Sequence, residues 1–273
     1  MALLYNDSLV KQLKRPWNWA GISRHLFRDS INNFRRRRRP NRAGSHVRFD
    51  HVITETLQCI GANFETQASH FQEHGWAYVE DFFTPRIYEN VLVGWPSLAF
   101  FELKPDLAKS FDRGPNWTLE SDRAGMMGID PCFYYGFQSL LMEGFVKRVA
   151  DFVGDQQRRQ LSSLASAWAR GGHHLLPHVD NASKRGKSAV VNFVIFVDGT
   201  FPPLASGGTS LFRTNTYKEP LFVPKSLQNT ALVYDTSANY FHGFPKVAFR
   251  KYSKRIIAQY STVDDKVLRQ SSS

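Results

Sequence analysis

The chain contains little cysteine and no long apolar run, and both shortages narrow the classes of protein to consider. Cys59 and Cys132 are the only cysteines among 273 residues, which is too few for a disulfide framework and typical of a reducing compartment. No apolar run approaches the roughly 20 residues of a membrane-spanning helix. The N-terminal region also lacks an apolar segment followed by a small-residue cleavage site. The sequence therefore predicts a cytoplasmic protein.

Acidic residues are scarce near the start of the chain, so most of the net positive charge of the protein lies there. The formal net charge is +11. Residues 1–45 hold eleven Lys and Arg against two Asp, a net charge of +9, so the other 228 residues carry +2. With 42% apolar and 22% charged residues overall, the nearly neutral remainder is typical of a globular domain. We expect a domain over residues 46–273 and a separate basic extension over residues 1–45.

The basic extension also carries an apolar helical stripe. Its apolar residues at helical spacing are Trp19, Ile22, Leu26, Phe27, Ile31 and Phe34. Five arginines follow at positions 35–39. A basic amphipathic segment can lie on an anionic membrane or dock on a partner, while an arginine run is also typical of nucleic-acid-binding patches. The extension thus predicts peripheral association with an anionic membrane surface, nucleic acid being the less favoured partner and a solvated arm without a partner the alternative.

The rest of the chain changes from helical to β-like patterns. Helical patterns occur near residues 52–74, from Pro85 onward and over residues 134–153, and residues 76–83 read as a strand. Eight short β-like runs follow, at residues 161–169, 175–179, 189–197, 209–213, 221–223, 231–234, 240–242 and 255–260. This order predicts a mainly β fold with flanking helices. Residues 46–160 would provide helical support for a barrel-like double sheet over residues 161–262.

The first residue of a His-x-Asp motif, His178, lies in the second of these runs, and another histidine, His242, lies in the seventh. Successive side chains of a strand point to opposite faces, so His178 and Asp180 should share one face. His242 follows His178 by 64 residues, and the strands between them could fold it back beside the pair. Two imidazoles and a carboxylate form the facial set used by non-haem Fe(II) oxygenases. The alternative is a hydrogen-bonded surface pair without metal.

With these motifs, residues 70–262 resemble the Fe(II)- and 2-oxoglutarate-dependent oxygenases, particularly the prolyl 4-hydroxylase-like subgroup. The resemblance rests on Gly75-Trp76-Ala77-Tyr78-Val79, His178-Val179-Asp180-Asn181, Ser206-Gly207-Gly208-Thr209-Ser210-Leu211 and Tyr240-Phe241-His242-Gly243. It implies a double-stranded β-helix (a jelly roll, cupin-like) braced by the N-terminal helices. It also implies iron ligation by His178, Asp180 and His242, with Fe(II) as cofactor, 2-oxoglutarate as co-substrate and ascorbate as an accessory reductant.

The resemblance further implies a base near the start of the last strand that binds the distal carboxylate of 2-oxoglutarate. Arg250, Lys254 and Arg255 all fall in this region. Arginine can offer a carboxylate two parallel donors, which lysine cannot. Strand alternation puts Lys254 on an apolar face and Arg255 on a more polar one. Arg255 is therefore favoured, followed by Lys254, and Arg250 stays open.

Other polar residues near the motif allow different interpretations. His173 and His174 could be imagined as zinc ligands, although a zinc enzyme would need a third ligand and no keto-acid clamp. Trp168 and Arg170 lie two residues apart on the first strand of the β-like region. They could contact a substrate or co-substrate, or could equally be a core tryptophan and a rim arginine.

The function implied by the resemblance is hydroxylation of an unactivated C–H bond with release of succinate and CO₂. Asp180 favours hydroxylation, because halogenases of this family have a small residue in place of the carboxylate. The substrate stays open among a free amino acid, a peptidyl residue, a glycolipid sugar and a metabolite, because substrate loops vary on a constant scaffold. The alternative is a catalytically inactive β-helix that acts as a binding module through its basic arm.

Overall fold

A computed structural model describes residues 60–104, 116–120, 140, 143–154, 159–180, 190–238 and 240–262. The basic extension lies outside the described residues, as do both cysteines. Of the first predicted helical pattern, the described part begins at residue 60. Of the third, it consists of residue 140 and the residues from 143 onward.

Four helices and eleven strands are described. The helices are α1 (Asn63–Thr66), α2 (Ala68–His74), α3 (Pro85–Gly94) and α4 (Glu143–Val153). The strands are β1 (Trp76–Glu80), β2 (Glu102–Lys104), β3 (Asn116–Glu120), β4 (Arg159–Arg170), β5 (Leu175–His178), β6 (Val190–Gly199), β7 (Ser210–Phe212), β8 (Pro220–Phe222), β9 (Thr230–Asp235), β10 (Phe241–Phe244) and β11 (Tyr252–Thr262). Single 3₁₀ turns span Leu98–Phe100 and Leu204–Ser206.

The strands form two antiparallel sheets. The larger sheet has the order β1-β9-β6-β11-β4-β3-β2, and the smaller has the order β5-β10-β7-β8. Each of the eight predicted β-like runs overlaps one strand of these sheets, so the mainly β fold with flanking helices is confirmed. Strands β2 and β3 were not predicted. Three and five residues long, they extend the larger sheet inside the region expected to be helical support.

The helices cover the outer face of the larger sheet with aromatic side chains. Phe64 of α1 stacks on Phe152 of α4 at 4.4 Å between ring centroids. It also lies 6.0 Å from Phe193 of β6, which in turn packs against Tyr260 of β11 at 5.3 Å. Tyr260 is fully buried, and its hydroxyl donates a 2.8 Å hydrogen bond to the Leu140 carbonyl oxygen. Because this aromatic layer covers one face of β6 and β11, the opposite face of these strands lies toward the smaller sheet.

Strand β11 separates its two faces by alternation. The face toward the helices carries Ile256, Ala258 and Tyr260, all members of the aromatic core. The opposite face carries Arg255, Ile257 and Gln259, which lie directly across the ladder from Phe196, Val194 and Asn192 of β6. Phe196 and Val194 belong to a second core between the sheets, with Leu211 of the smaller sheet. Side chains on this second face therefore point into the interior of the double sheet.

Among the described helices, none has the length and apolar character required to cross a bilayer.

Candidate metal centre

Two histidines face each other across neighbouring strands of the smaller sheet. His242 of β10 is directly opposite His178 of β5 in the antiparallel register, and the ring centroids are 4.3 Å apart. The next residue, Gly243, allows this approach, because a Cβ there would collide with the carbonyl oxygen of Leu175. The pairing is irregular between His242 and Phe244, where β5 contains an extra residue. A close-packed, bulged strand pair thus positions both imidazoles.

Asp180 completes the group, but not in the way that strand alternation predicts. The predicted run reached residue 179, whereas β5 ends at His178 and Asp180 follows the strand. Its position is set by a side-chain bond, because the Asn192 Nδ2 atom donates to Asp180 Oδ2 at 2.8 Å. Asp180 Oδ1 lies 3.5 Å from His178 Nε2, and Asp180 Oδ2 lies 3.7 Å from His242 Nε2. One carboxylate therefore lies beside both imidazoles.

The donor set fits a divalent transition metal. The ligand atoms of His178, Asp180 and His242 all lie within 4.8 Å of one another, and no other such group of three or more occurs in the described part of the chain. His178 Nδ1 lies 2.8 Å from the Leu176 carbonyl oxygen, which can only accept, so Nδ1 carries the hydrogen. The buried Nε2 then presents its lone pair, and it has no hydrogen-bond partner among the described residues. A backbone carbonyl that orients an imidazole in this way is typical of metal ligands.

The carboxylate is ionised over the physiological pH range. Burial by itself would raise the pKa of Asp180, but His178, His242 and the Asn192 amide stabilise the charged form and lower the pKa to about 2. A ligand that is already deprotonated releases no proton when metal binds, so it favours metal binding at neutral pH.

The three candidate carboxylate-binding bases lie in different places. Arg255 is buried on the inner face of β11, with its Cζ atom 4.6 Å from the centroid of Phe244 in the smaller sheet. Lys254 faces the helix side, where its Nζ atom is 3.2 Å from Asp198 Oδ2. Arg250 is exposed in the loop before β11, with φ at 64°. Of the three, Arg255 alone points between the sheets.

The glycine-rich turn before β7 holds the Arg255 guanidinium. Arg255 Nη1 donates to the Gly207 carbonyl oxygen and to Thr209 Oγ1, both at 3.1 Å. Gly207 has a left-handed φ of 84°, and a Cβ there would lie 2.8 Å from the Ala169 Cβ. The turn can therefore approach β4 and β11 closely only as glycine. Because a guanidinium has five N–H donors, it can keep these contacts while also binding a carboxylate.

The other candidate residues from the sequence do not join the His178, Asp180 and His242 group. His173 is buried, and its Nδ1 accepts a 3.1 Å hydrogen bond from the Arg170 backbone N–H. Burial, together with the charges of Arg170 and Arg255, lowers the pKa of His173 to about 3. Trp168 pairs with Lys254 across the ladder and packs on Phe101, so it lies in the helix-side core. Neither His173 nor His174 forms a metal-ligand cluster among the described residues.

Sequence reasoning missed Asn192, which orients the carboxylate. Its Nδ2 atom donates both to Asp180 Oδ2 and, at 3.0 Å, to the Tyr234 hydroxyl. The Tyr234 ring in turn lies 4.8 Å from the His242 ring. The available signal was a single amide side chain within the otherwise apolar strand from Val190 to Val197. A buried amide in such a strand needs a polar partner.

Two facing antiparallel sheets with a His-Asp-His group between their strands define the double-stranded β-helix class. Among solved structures, a prolyl-4-hydroxylase from Pseudomonas putida superposes with a TM-score of 0.54 at 10% identity, over 73% of this chain and 99% of that chain. A 2OG-Fe(II) oxygenase family oxidoreductase from Burkholderia pseudomallei has a TM-score of 0.50 at 14% identity, over 74% and 92%. The α-ketoglutarate-dependent epimerase SnoN of nogalamycin biosynthesis has a TM-score of 0.52 at 11% identity, over 74% and 83%.

Comparison with models of protein families gave no match, and comparison with curated protein sequences also gave none. At these identities the structural likeness shows a common fold. The chain has the double-stranded β-helix fold of the 2OG-Fe(II) oxygenases, and the resemblance predicted from sequence is confirmed at the level of the fold.

Proposed function

We propose that this protein is an Fe(II)- and 2-oxoglutarate-dependent dioxygenase that hydroxylates an unactivated C–H bond. The observation that supports this proposal is the combination of two sites in one interior. The His178, Asp180 and His242 ligand atoms lie within 4.8 Å of one another, and Arg255 extends from the larger sheet to Phe244 of the smaller one. A metal and a dicarboxylate could thus be held together.

In this proposal each side chain has a separate task. His178, Asp180 and His242 would hold Fe(II) as a two-histidine, one-carboxylate ligand set. Arg255 binds the distal carboxylate of 2-oxoglutarate by charge-assisted hydrogen bonds, and Lys254 is the second choice for that role. When bound, Fe(II) with 2-oxoglutarate supplies oxidation by O₂ with release of succinate and CO₂. The protein contributes binding, orientation and exclusion of water, and ascorbate would serve as an accessory reductant.

The catalytically inactive binding module is the competing function. A module of this kind would not require three convergent ligands, an oriented imidazole and a buried guanidinium in one interior. The substrate of the proposed enzyme is a free amino acid, a peptidyl residue, a glycolipid sugar or a metabolite. Succinate release measured against these four classes would identify which one the enzyme accepts.

Anaerobic addition of Fe(II) and 2-oxoglutarate to the full chain is expected to produce a weak visible charge-transfer band. The band requires the keto acid to chelate the iron, so it tests the two sites together without a substrate. Fe(II) with succinate is the matched control and should give no band, because succinate lacks the keto group. A folded, iron-loaded protein that gives no band would favour the binding module.

We also propose that residues 1–45 place the enzyme on an anionic membrane surface. This proposal is supported by the net charge of +9 on residues 1–45, which also contain the apolar helical stripe. The rest of the chain carries only +2. Each basic residue near such a surface contributes about 1 kcal/mol, and salt screens this attraction.

A chain that begins at Ser45 is expected to bind anionic vesicles more weakly than the full chain, with less sensitivity to salt. Co-sedimentation at low and high salt measures both quantities, and duplex DNA in place of vesicles tests the nucleic-acid alternative. Equal binding by the two chains would contradict the anchoring role, and binding of the full chain to DNA alone would identify nucleic acid as the partner.

A further inference from the structure

Three loops are joined into one surface, which we call the distal surface (residues 171–174, 200–206 and 245–251). The Gly172 N–H donates to the Val247 carbonyl oxygen at 2.9 Å, and the Val247 N–H donates to the His173 carbonyl oxygen at 2.7 Å. The Ala248 N–H donates to the Ala205 carbonyl oxygen at 2.9 Å. These backbone bonds hold the three loops as a unit rather than as independent segments.

The distal surface lies at the end of the double sheet away from the metal centre. Strand β6 connects the two ends, since its residue Asn192 binds Asp180 while Gly199 leads directly into residues 200–206. These two positions are seven residues apart along an extended strand, which corresponds to about 23 Å. A partner on the distal surface would therefore lie at the other end of β6 from the metal group.

Two phenylalanines project from the distal surface into solvent. Phe201 is 77% exposed and Phe249 is 79% exposed, whereas the other exposed large apolar residues of the described chain, Val93 and Leu176, reach 49% and 36%. Their loops are bonded together, because Lys251 Nζ donates to the Phe201 carbonyl oxygen at 2.6 Å. The two most exposed large apolar side chains of the described residues thus lie on loops that are bonded to each other.

The charges around these rings all have one sign. Residues 245–251 contain Lys246, Arg250 and Lys251 and no acidic residue, and residues 171–174 and 200–206 contain no acidic residue either. The Arg250 Cζ atom lies 5.3 Å from the Phe249 ring centroid. The exposed aromatic groups are thus accompanied by three cations, and none of the three loops contains an acid.

We propose that the distal surface docks on an anionic lipid bilayer, with Phe201 and Phe249 inserted among the headgroups and the three bases against the lipid charges. Aromatic side chains are favoured at the level of the headgroups, and bases beside them add attraction to anionic lipid. A protein partner is less well matched, because a standard interface covers about 800 Å² per partner, whereas the apolar part here consists of two separate rings. In this orientation the metal centre faces the aqueous phase.

This surface and residues 1–45 are different parts of the sequence, but both are proposed to bind the same lipid. Two attachments on one chain multiply in the overall affinity. Loss of either one should therefore weaken binding even when the other remains. The distal surface contains none of the residues that the proposed function assigns to iron or 2-oxoglutarate, and Arg250, the remaining candidate base, is exposed in its loop. Docking can therefore be tested independently of the enzymatic activity.

The test compares the full chain with its Phe201→Ser/Phe249→Ser variant in co-sedimentation. The probes are mixed phosphatidylcholine–phosphatidylserine vesicles, pure phosphatidylcholine vesicles and a single-stranded oligonucleotide. We expect the variant to bind the mixed vesicles at least about tenfold more weakly, because two rings lose their burial. Lys246→Gln/Arg250→Gln should lower binding and its salt dependence. Val93→Ser, an exposed apolar position on α3, is the matched control and should bind like the unchanged protein.

The outcomes are distinct because both phenylalanines are exposed and their replacement should leave the thermal unfolding midpoint unchanged. Equal vesicle binding by the phenylalanine variant and the unchanged protein would overturn the proposal, as would equal binding of the unchanged protein to mixed and pure phosphatidylcholine vesicles. Absence of vesicle binding with phenylalanine-dependent binding of the oligonucleotide would also overturn it and identify a nucleic-acid surface, since aromatic side chains can stack on bases.

Discussion

Replacement of His178, Asp180 or His242 with alanine is expected to reduce Fe(II)-dependent succinate release by more than about 100-fold. The reason is that each substitution removes one of three metal ligands, whereas loss of groups that only orient ligands already costs about 10- to 100-fold. Fe(II) affinity, measured by anaerobic titration, should fall together with activity. The three variants should lose activity to a similar extent, because their ligand atoms form one group within 4.8 Å.

His174→Ala is the matched control for these substitutions. His174 is close to His178 in the chain but belongs to no metal-ligand group among the described residues, so its replacement should leave turnover and iron affinity unchanged. Circular dichroism establishes that the variants are folded. Full activity in a purified, folded His178, Asp180 or His242 variant would contradict the ligand assignment, and loss of activity in His174→Ala would point to a different set of ligands.

The strands could be predicted because their pattern is local, and the details of the site could not because they depend on contacts between distant segments. Alternation along residues 255–260 separates an apolar set from a polar one, and the structure places these sets on the helix side and the inner side of β11. In contrast, the bond between Asn192 and Asp180 joins two segments with no shared pattern. Asp180 was expected to gain its position from a strand that in fact ends at His178.

Glycine gives a second example of what the sequence alone leaves open. Gly207 and Gly243 both lie in motifs that were recognised from sequence, yet the sequence does not say what a side chain would meet there. In the structure, a Cβ at Gly243 would collide with β5, and one at Gly207 would press on β4.

The short strands β2 and β3 could not be predicted from the sequence. Strand β3 pairs with β4 and β2 pairs with β3, and three to five residues carry too little periodicity to predict a strand.

The alternation of β11 also places the two neighbouring candidate bases in different surroundings. Lys254 and Arg255 are adjacent in sequence and therefore point to opposite sides of the larger sheet. Lys254 is paired with Asp198 and lies 5.2 Å from the Trp168 ring centroid on the helix side. The Arg255 side chain crosses the interior to Phe244. Phe244 lies on β10, two residues after His242. We therefore expect that Arg255, and not Lys254, would hold the distal carboxylate of 2-oxoglutarate.

Arg255→Ala is therefore expected to raise the apparent 2-oxoglutarate requirement about 10- to 150-fold, since loss of a charge-assisted pair costs about 1.5 to 3 kcal/mol. Arg255→Lys should recover only part of the affinity, because an ammonium group cannot form the two parallel bonds. Titration of the anaerobic charge-transfer band with 2-oxoglutarate measures binding separately from turnover, and the thermal unfolding midpoint reports whether the buried site still folds. Lys254→Ala is the matched control, because it removes the neighbouring base on the opposite face of β11. It should leave the 2-oxoglutarate requirement unchanged, and so should Arg250→Ala in the exposed loop. A large increase in either control, with an unchanged requirement in Arg255→Ala, would assign the carboxylate to a different base and show that the inner face of β11 does not bind the co-substrate.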